Sequence, residues 1–273
     1  MSVSHPASTV CYRHPDRSTY LRCSNCDRPI CMECTNDVPV GQKCPECAAP
    51  AEAARKASTR QLRRAAAPAT IVLMAISILV FLAPMLIPDL DVLDLRARFG
   101  QFNLAVAAGE WWRIFTAGFL HGGMIHLLFN MWALWIFGKP LETQIGSASF
   151  VSLYLASAVA GGAAAFLLTD PRVTVVGASG AIFGLFGAWL YSSYRTRHTR
   201  IGSAQFRNLL VLLGLNVFLS ISVPAISWQG HAGGLAAGFA IAALWSRSPQ
   251  TTTVRVLEAA AVGGIALALV LIS

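Results

Sequence analysis

Seven apolar runs follow one another along the chain, at about 69–87, 115–138, 149–168, 178–194, 208–225, 228–246 and 254–272. Each is close to the ~20 residues that an α-helix needs to cross a bilayer. In hydrocarbon an α-helix satisfies its own backbone N–H and C=O groups, which few other shapes can do. The runs therefore predict an all-α polytopic membrane domain of seven spans over 68–273. Composition agrees: only 12% of residues are charged, against about 25% in a soluble globular domain.

The segment ahead of these runs has a different character. All seven cysteines fall between Cys11 and Cys47, and four ligand pairs each enclose two residues: Cys11/His14, Cys23/Cys26, Cys31/Cys34 and Cys44/Cys47. A pair so spaced puts two ligand atoms on one side of a tight turn, and two pairs complete a tetrahedron around Zn²⁺. Eight ligands make two sites, so the spacing predicts a small zinc-binding module over 1–50 with two structural zinc ions. A cross-brace would join the first pair to the third and the second to the fourth, although sequence alone leaves the pairing open. Disulfides would need an oxidising compartment and would leave one cysteine over. The first 60 residues show no charged n-region followed by an apolar core, so the N-terminus is expected to be cytoplasmic and its thiols reduced. The module resembles small treble-clef or B-box-like fingers and is expected to be unfolded without metal. Its ligands do not say whether it serves a cytosolic partner.

A basic linker, 51–67, carries Arg55, Lys56, Arg60, Arg63 and Arg64 next to the first apolar run. It reads as a topology signal with attraction to anionic lipid. Nucleic acid is not expected as a partner, because the run abuts a span. With the N-terminus inside, the inner connections are 139–148, 195–207 and 247–253. Arg195, Arg197, Arg200, Arg207 and Arg247 fall in them, whereas the outer connection 169–177 holds only Arg172. This asymmetry puts the C-terminus outside, and a multi-pass location in the plasma membrane is expected. Segment 88–114 is too polar to span and too apolar to be a free loop. It is expected to lie in the interface, anchored by Trp111 and Trp112.

Polar side chains inside spans are costly and mark function by default. The second run carries His121, His126 and Asn130, the fourth Ser179, the fifth Asn216 and the sixth His231. Counting from the inner ends at 1.5 Å per residue puts Ser179 and His231 both ~22 Å up, with His126 at ~18 Å and Asn130 at ~12 Å on one face. Gly234 and Gly238 share a face with His231, and Gly180, Gly184 and Gly187 form a matching stripe. Such stripes let helix backbones approach closely in lipid. Close backbones would bring a short serine within reach of an imidazole. A serine needs such a base to become a nucleophile. The oxyanion that forms needs preorganised donors, for which His126, Asn130 and the Ser179 N–H are candidates. The acidic residues beyond the linker are Asp89, Asp91, Asp94, Glu110, Glu142, Asp170 and Glu258. None lies at this depth, so the pattern is a Ser–His dyad, and something other than a carboxylate must orient the ring. Taken singly, each residue has a plainer reading. Ser179 between Gly177 and Gly180 would be packing glue, and His231, His126 and Asn130 interhelical hydrogen bonders.

GASG at 177–180, His231 in HAGGLAAG, His126 and Asn130 in HGGMIHLLFN, and Trp112–Arg113 ahead of the second run together resemble the rhomboid intramembrane serine proteases over residues 69–273. The resemblance implies a rhomboid-like bundle with six spans plus one and no cofactor for catalysis. It implies Ser179 as nucleophile, His231 as general base and acid, and His126 and Asn130 with the Ser179 N–H as oxyanion hole. It also implies a membrane-embedded loop over 88–114 and access gated by the fifth span and the cap loop after it. Substrates would be transmembrane proteins cut near their outer ends. Phe183 stands where many members have Tyr, so the ring can stack on the catalytic histidine but no phenol hydroxyl is available. His121 also matches a recurrent histidine of that family, with a structural role expected. Two other readings are a catalytically silent relative that binds membrane clients, and a transporter. A silent relative usually lacks the serine or the histidine, and a transporter would want a polar path at the midplane. Metalloprotease HExxH is absent from the sequence.

Overall fold

A computed structural model describes residues 9–37, 41–50, 53, 66–87, 90–223 and 226–273. The basic residues Arg55, Lys56, Arg60, Arg63 and Arg64, and Asp89, lie outside the described residues. The chain falls into two compact units, Met1–Arg63 and Arg64–Ser273.

In the first unit β1 (Thr9–Val10) pairs antiparallel with β2 (Ser18–Thr19), and β3 (Asn36–Asp37) with β4 (Gln42–Lys43). Its core consists of Ile30 and the sulfurs of Cys11, Cys23, Cys31, Cys34 and Cys44. Polar bonds tie the loops together: Thr19 Oγ1 donates to the Ile30 carbonyl at 2.7 Å, and Arg17 pairs with Glu33 at 2.7 Å. One aliphatic side chain is too little apolar burial to hold a fold of this size without a cross-link.

In the second unit the helices are α1 (Pro68–Leu86), α2 (Val92–Phe99), α3 (Asn103–Ala107), α4 (Arg113–Thr116), α5 (Met124–Ala133), α6 (Lys139–Ile145), α7 (Ser147–Leu168), α8 (Ser179–Arg195), α9 (Arg200–Ser222), α10 (Trp228–Trp245) and α11 (Thr252–Leu271). Four helices, α1, α7, α9 and α11, are long and apolar enough to cross a membrane, and a fifth span results if the bent pair Arg113–Phe119 and Met124–Ile145 counts as one. Helices stand at all seven expected places, but α8 has 17 residues, short of the ~20 that a bilayer asks. The second run is not one straight span over 115–138. The chain turns through 93° between its two parts, at the Gly122–Gly123 pair where no side chain supports a helix. His121 therefore lies at the break between the two parts. The helical path also continues past 138 through a π-helical stretch (Leu134–Gly138) into α6. Likewise α9 starts at Arg200, inside the expected 195–207 connection.

Glu142 explains the inner end. Its buried carboxylate accepts hydrogen bonds from the Ala69 and Thr70 N–H groups at 2.9 and 2.8 Å, from the Thr70 hydroxyl at 2.8 Å and from the Ser147 hydroxyl at 2.6 Å. It thus caps α1, whose own sequence offers Ala67 at the cap position, and an acidic group is favoured at a helix N-terminus.

The core lies among α7, α8 and α10, around Phe150, Leu153, Leu185 and Ile241, each with no measurable exposure. The glycine stripes meet as their spacing predicts. A Cβ on Gly234 would overlap the Gly180 carbonyl, one on Gly238 the Gly184 carbonyl, and one on Gly161 would stand 2.8 Å from the Gly230 carbonyl. Large apolar side chains on α1 and α9, such as Leu79, Leu215 and Phe218, point outward, as lipid-facing residues do.

Segment 88–114 is ordered by polar anchors. β5 (Gln101–Phe102) pairs antiparallel with β6 (Thr174–Val175). The buried Gln101 and Asn103 side chains donate to the Gly162 and Ala165 carbonyls of α7 at 2.8 and 3.3 Å. Arg113, 7% exposed, donates to the Ala97 and Gly100 carbonyls at 2.6 and 3.0 Å and pairs with Glu110. Trp111 and Trp112 remain exposed.

Candidate active site

β6 leads into the turn that presents Ser179. Gly177 adopts φ +129° there, a conformation L side chains rarely adopt, and its N–H donates to the Ala117 carbonyl at 2.9 Å. Ser179 is then the first residue of α8, and the helical ladder opens with the Ile182 N–H donating to the Ala178 carbonyl. The N–H groups of the first turn have no intrahelical acceptor, and they form the positive end of the helix dipole.

Phe183 lies one turn along from Ser179, on the same face of the helix. Its ring stacks on the His231 imidazole with centroids 4.1 Å apart and planes 12° apart. Ser179 and His231 line one open cleft together with Gly177, Gly180, Gly230 and Ser227. Ser179 Oγ and His231 share no hydrogen bond among the described residues, a common state of catalytic pairs before substrate is bound. His231 has a polar partner of its own: Ser220 Oγ stands 3.1 Å from its Nδ1.

His126 is held in one tautomer. The Gly122 N–H donates to its Nδ1 at 3.2 Å, which leaves the proton on Nε2. That Nε2 faces the Ser179 turn: a Cβ placed on Gly177 would be 2.8 Å from it and 3.7 Å from Ser179 Oγ. His121 packs edge-on against His126 with ring centroids 5.2 Å apart. Asn130 is buried and its amide donates to the His126 carbonyl at 2.8 Å. One of its N–H groups is therefore committed to its own helix. Asn216 donates to the Leu212 carbonyl at 2.8 Å on the exposed face of α9, apart from the site.

A family model described as "Rhomboid domain" matches residues 108–248, just over half of the chain. The chain belongs to the rhomboid family. This rhomboid is 36% identical over 158 residues to YdcA of Bacillus subtilis, provisionally named a rhomboid protease, covering 58% of this chain and 79% of that one. It is 40% identical over 141 residues to rhomboid protease GluP of the same organism, covering 52% of this chain and 27% of GluP. It is 33% identical over 162 residues to RHOMBOID-like protein 9, chloroplastic, of Arabidopsis thaliana, covering 57% of this chain and 36% of that protein. The matched region holds the Ser179, His231, His126 and Asn130 positions of this rhomboid. Ser220 was missed by sequence reasoning, because a serine in an apolar run gives no sign of what it faces. Gln101 and Asn103 were missed too, because a polar side chain in a connecting segment gives no sign of which distant carbonyl it reaches.

The first unit gathers its ligands into two groups, Cys11–His14–Cys31–Cys34 and Cys23–Cys26–Cys44–Cys47, with ligand atoms within 4.8 Å of one another. This is the alternating cross-brace. His14 Nδ1 lies 3.3 Å from the sulfurs of both Cys31 and Cys34 and 3.8 Å from Cys11, and Cys26 and Cys44 sulfurs are 3.8 Å apart. Tetrahedral zinc with bonds of ~2.0–2.3 Å sets its ligands about 3.5–3.8 Å apart, whereas a disulfide would need ~2.05 Å. The donor sets therefore fit a divalent metal. Burial opposes ionisation of Cys11, yet surrounding N–H donors bring its pKa down to about 6, and Cys23 likewise. Burial and the nearby Cys11 and Cys31 sulfurs push Cys34 up to about 11. Thiols crowded around one point cannot all ionise against each other, and a cation at that point removes the conflict. Asn25 and Arg28 donate to the sulfurs of Cys47 and Cys26 at 3.5 and 3.4 Å, the outer bonds that orient metal thiolates.

Proposed function

We propose that this rhomboid is an intramembrane serine endopeptidase that cuts transmembrane segments near the outer membrane face with a Ser179–His231 dyad. The observation that supports it most is the stacked Phe183–His231 pair one helical turn from Ser179, at the wall of a shared cavity. In this reading His231 Nε2 takes the Ser179 proton as Oγ attacks the scissile carbonyl. The resulting oxyanion is met by the Ser179 N–H, the His126 Nε2–H and the second N–H of Asn130. Collapse of the tetrahedral intermediate breaks the C–N bond, and the imidazolium gives its proton to the leaving amine. Water, deprotonated by the same imidazole, then releases the acyl-enzyme. Phe183 holds the imidazole plane by stacking alone.

The rest of the chain fits this task. In this reading it is a multi-pass protein of the plasma membrane with its N-terminus in the cytoplasm and its C-terminus outside, its exposed apolar side chains facing lipid. The first unit holds two structural zinc ions. Purified full-length protein in detergent should cleave a labelled transmembrane substrate and react with a fluorophosphonate probe. Ser179→Ala and His231→Ala should do neither. Cleavage by Ser179→Ala at the wild-type rate would remove the nucleophile, and labelling of that variant would place the reactive group elsewhere. A catalytically silent client-binding protein would bind the substrate and leave it whole.

A further inference from the structure

A dyad without a carboxylate leaves one question open: what holds the base. We propose that Ser220 is the positioning residue for His231. Its hydroxyl fixes the ring edge so that Nδ1 carries the proton and Nε2 offers its lone pair to Ser179. The inference rests on the reading of Ser179 and His231 as nucleophile and base.

Three observations meet at this residue. Ser220 Oγ lies 3.1 Å from His231 Nδ1, a hydrogen-bond distance for a hydroxyl and an imidazole. Ser220 is 6% exposed on a helix whose other buried residues are Gly202 and Leu209, while its neighbours Phe218, Leu219 and Ile221 face outward. The one polar side chain that α9 buries is thus the one that meets the imidazole. A buried hydroxyl is costly unless it finds a partner. The other polar side chain on this stretch, Asn216, satisfies itself on the Leu212 carbonyl and does not compete.

The two supports of His231 divide the work. Stacking on Phe183 sets the plane of the ring but not which nitrogen faces Ser179. A bond to Nδ1 sets the edge. A serine hydroxyl can donate or accept, but once His231 has taken the nucleophile's proton both ring nitrogens are donors, and Ser220 Oγ is the acceptor at Nδ1. Being neutral, it orients the imidazolium without the charge a carboxylate brings, so its loss should cost far less than the ~10⁴-fold seen when a triad aspartate is neutralised. The bond also ties the base to α9, which packs on the bundle through few buried residues. His231 is set for catalysis only while α9 is seated.

The test uses full-length protein in detergent with the labelled substrate, and the isosteric pair Ser220→Thr and Ser220→Val beside Ser220→Ala. Threonine, which keeps the hydroxyl, should retain kcat within about twofold. Valine and alanine should lose about tenfold in kcat with KM unchanged, as expected for an interaction that serves the transition state. Valine and alanine turning over like wild type, or threonine failing as badly as valine, would overturn the proposal. A readout independent of turnover separates this from the dyad itself. In ¹⁵N-histidine-labelled protein, in both wild-type and Ser179→Ala backgrounds, the His231 ring should show protonated Nδ1. Ser220→Val should give a mixture of tautomers. Unprotonated Nδ1 in the wild type, or no change in Ser220→Val, refutes the role of Ser220 whatever the cleavage assay shows, whereas cleavage by Ser179→Ala refutes the dyad and leaves the tautomer result standing.

Discussion

Gly177→Ala probes the site through a single methyl group. The backbone there has φ +129°, and a non-glycine residue in so sparsely populated a region costs on the order of 1–3 kcal/mol. The added Cβ would also stand 2.8 Å from both Cε1 and Nε2 of His126. Favourable contact begins near ~3.5 Å, so the imidazole must retreat by roughly 0.7 Å. Removing one oxyanion donor typically costs ~10²–10³ in kcat, and a displacement of about 1 Å in a catalytic group can cost ~10²-fold. Gly177→Ala should therefore lower kcat by about 10²-fold and destabilise the protein by about 1–3 kcal/mol. The assay is a double-mutant cycle with His126→Ala, reading kcat on the labelled substrate. If the methyl acts by pushing His126, its effect on kcat vanishes once that ring is absent, and the two losses are strongly non-additive. A Gly177→Ala protein with wild-type kcat, or losses that simply multiply, would refute the reasoning.

Four other outcomes follow from the same geometry. Phe183→Tyr should keep kcat within a few fold, because the ring still stacks on His231; Phe183→Ala forfeits a pair worth ~0.5–1.5 kcal/mol and should fall about 3–10-fold, and equal rates for the two would argue against stacking. Glu142→Ala strands buried donors of α1 and Ser147 and should destabilise by about 3 kcal/mol or more, measured by thermal unfolding in detergent; an unchanged transition would mean the cap contributes nothing. Metal analysis of the purified protein should find two zinc ions per chain, and chelation should remove the ordered signal of the first unit; one ion or none would contradict the eight-ligand account. Zinc must displace the thiol protons of its ligands, so its affinity should weaken as pH falls and strengthen as it rises, measured by zinc titration at several pH values; an affinity independent of pH would argue against thiolate ligation.

Periodicity and spacing carried much of this. Runs of about 20 apolar residues admit little but helices, and pairs separated by two residues admit little but metal knuckles, so both units were legible before any coordinates. The glycine faces of Gly180, Gly184, Gly234 and Gly238 also told which helices would touch, since a face without side chains is wasted unless a backbone fills it. Elsewhere local pattern misled. The second run looked continuous because hydropathy does not register a 93° turn at Gly122–Gly123, and His121 accordingly sits at a break in the helix.

What the sequence determined by itself was the inventory: a serine, two histidines and an asparagine in the outer part of the spans, eight metal-type ligands, and no carboxylate at the depth of the serine. Tertiary structure alone decided how each was held. It set the proton on His126 through the Gly122 N–H, bent the Asn130 amide back onto its own helix, and brought Ser220 from a different helix to Nδ1 of His231. The physical reason is directional. Burial depends on how apolar a run is, a sum that a sequence carries openly, whereas a hydrogen bond depends on which way two side chains from distant segments face, and only the packed helices settle that.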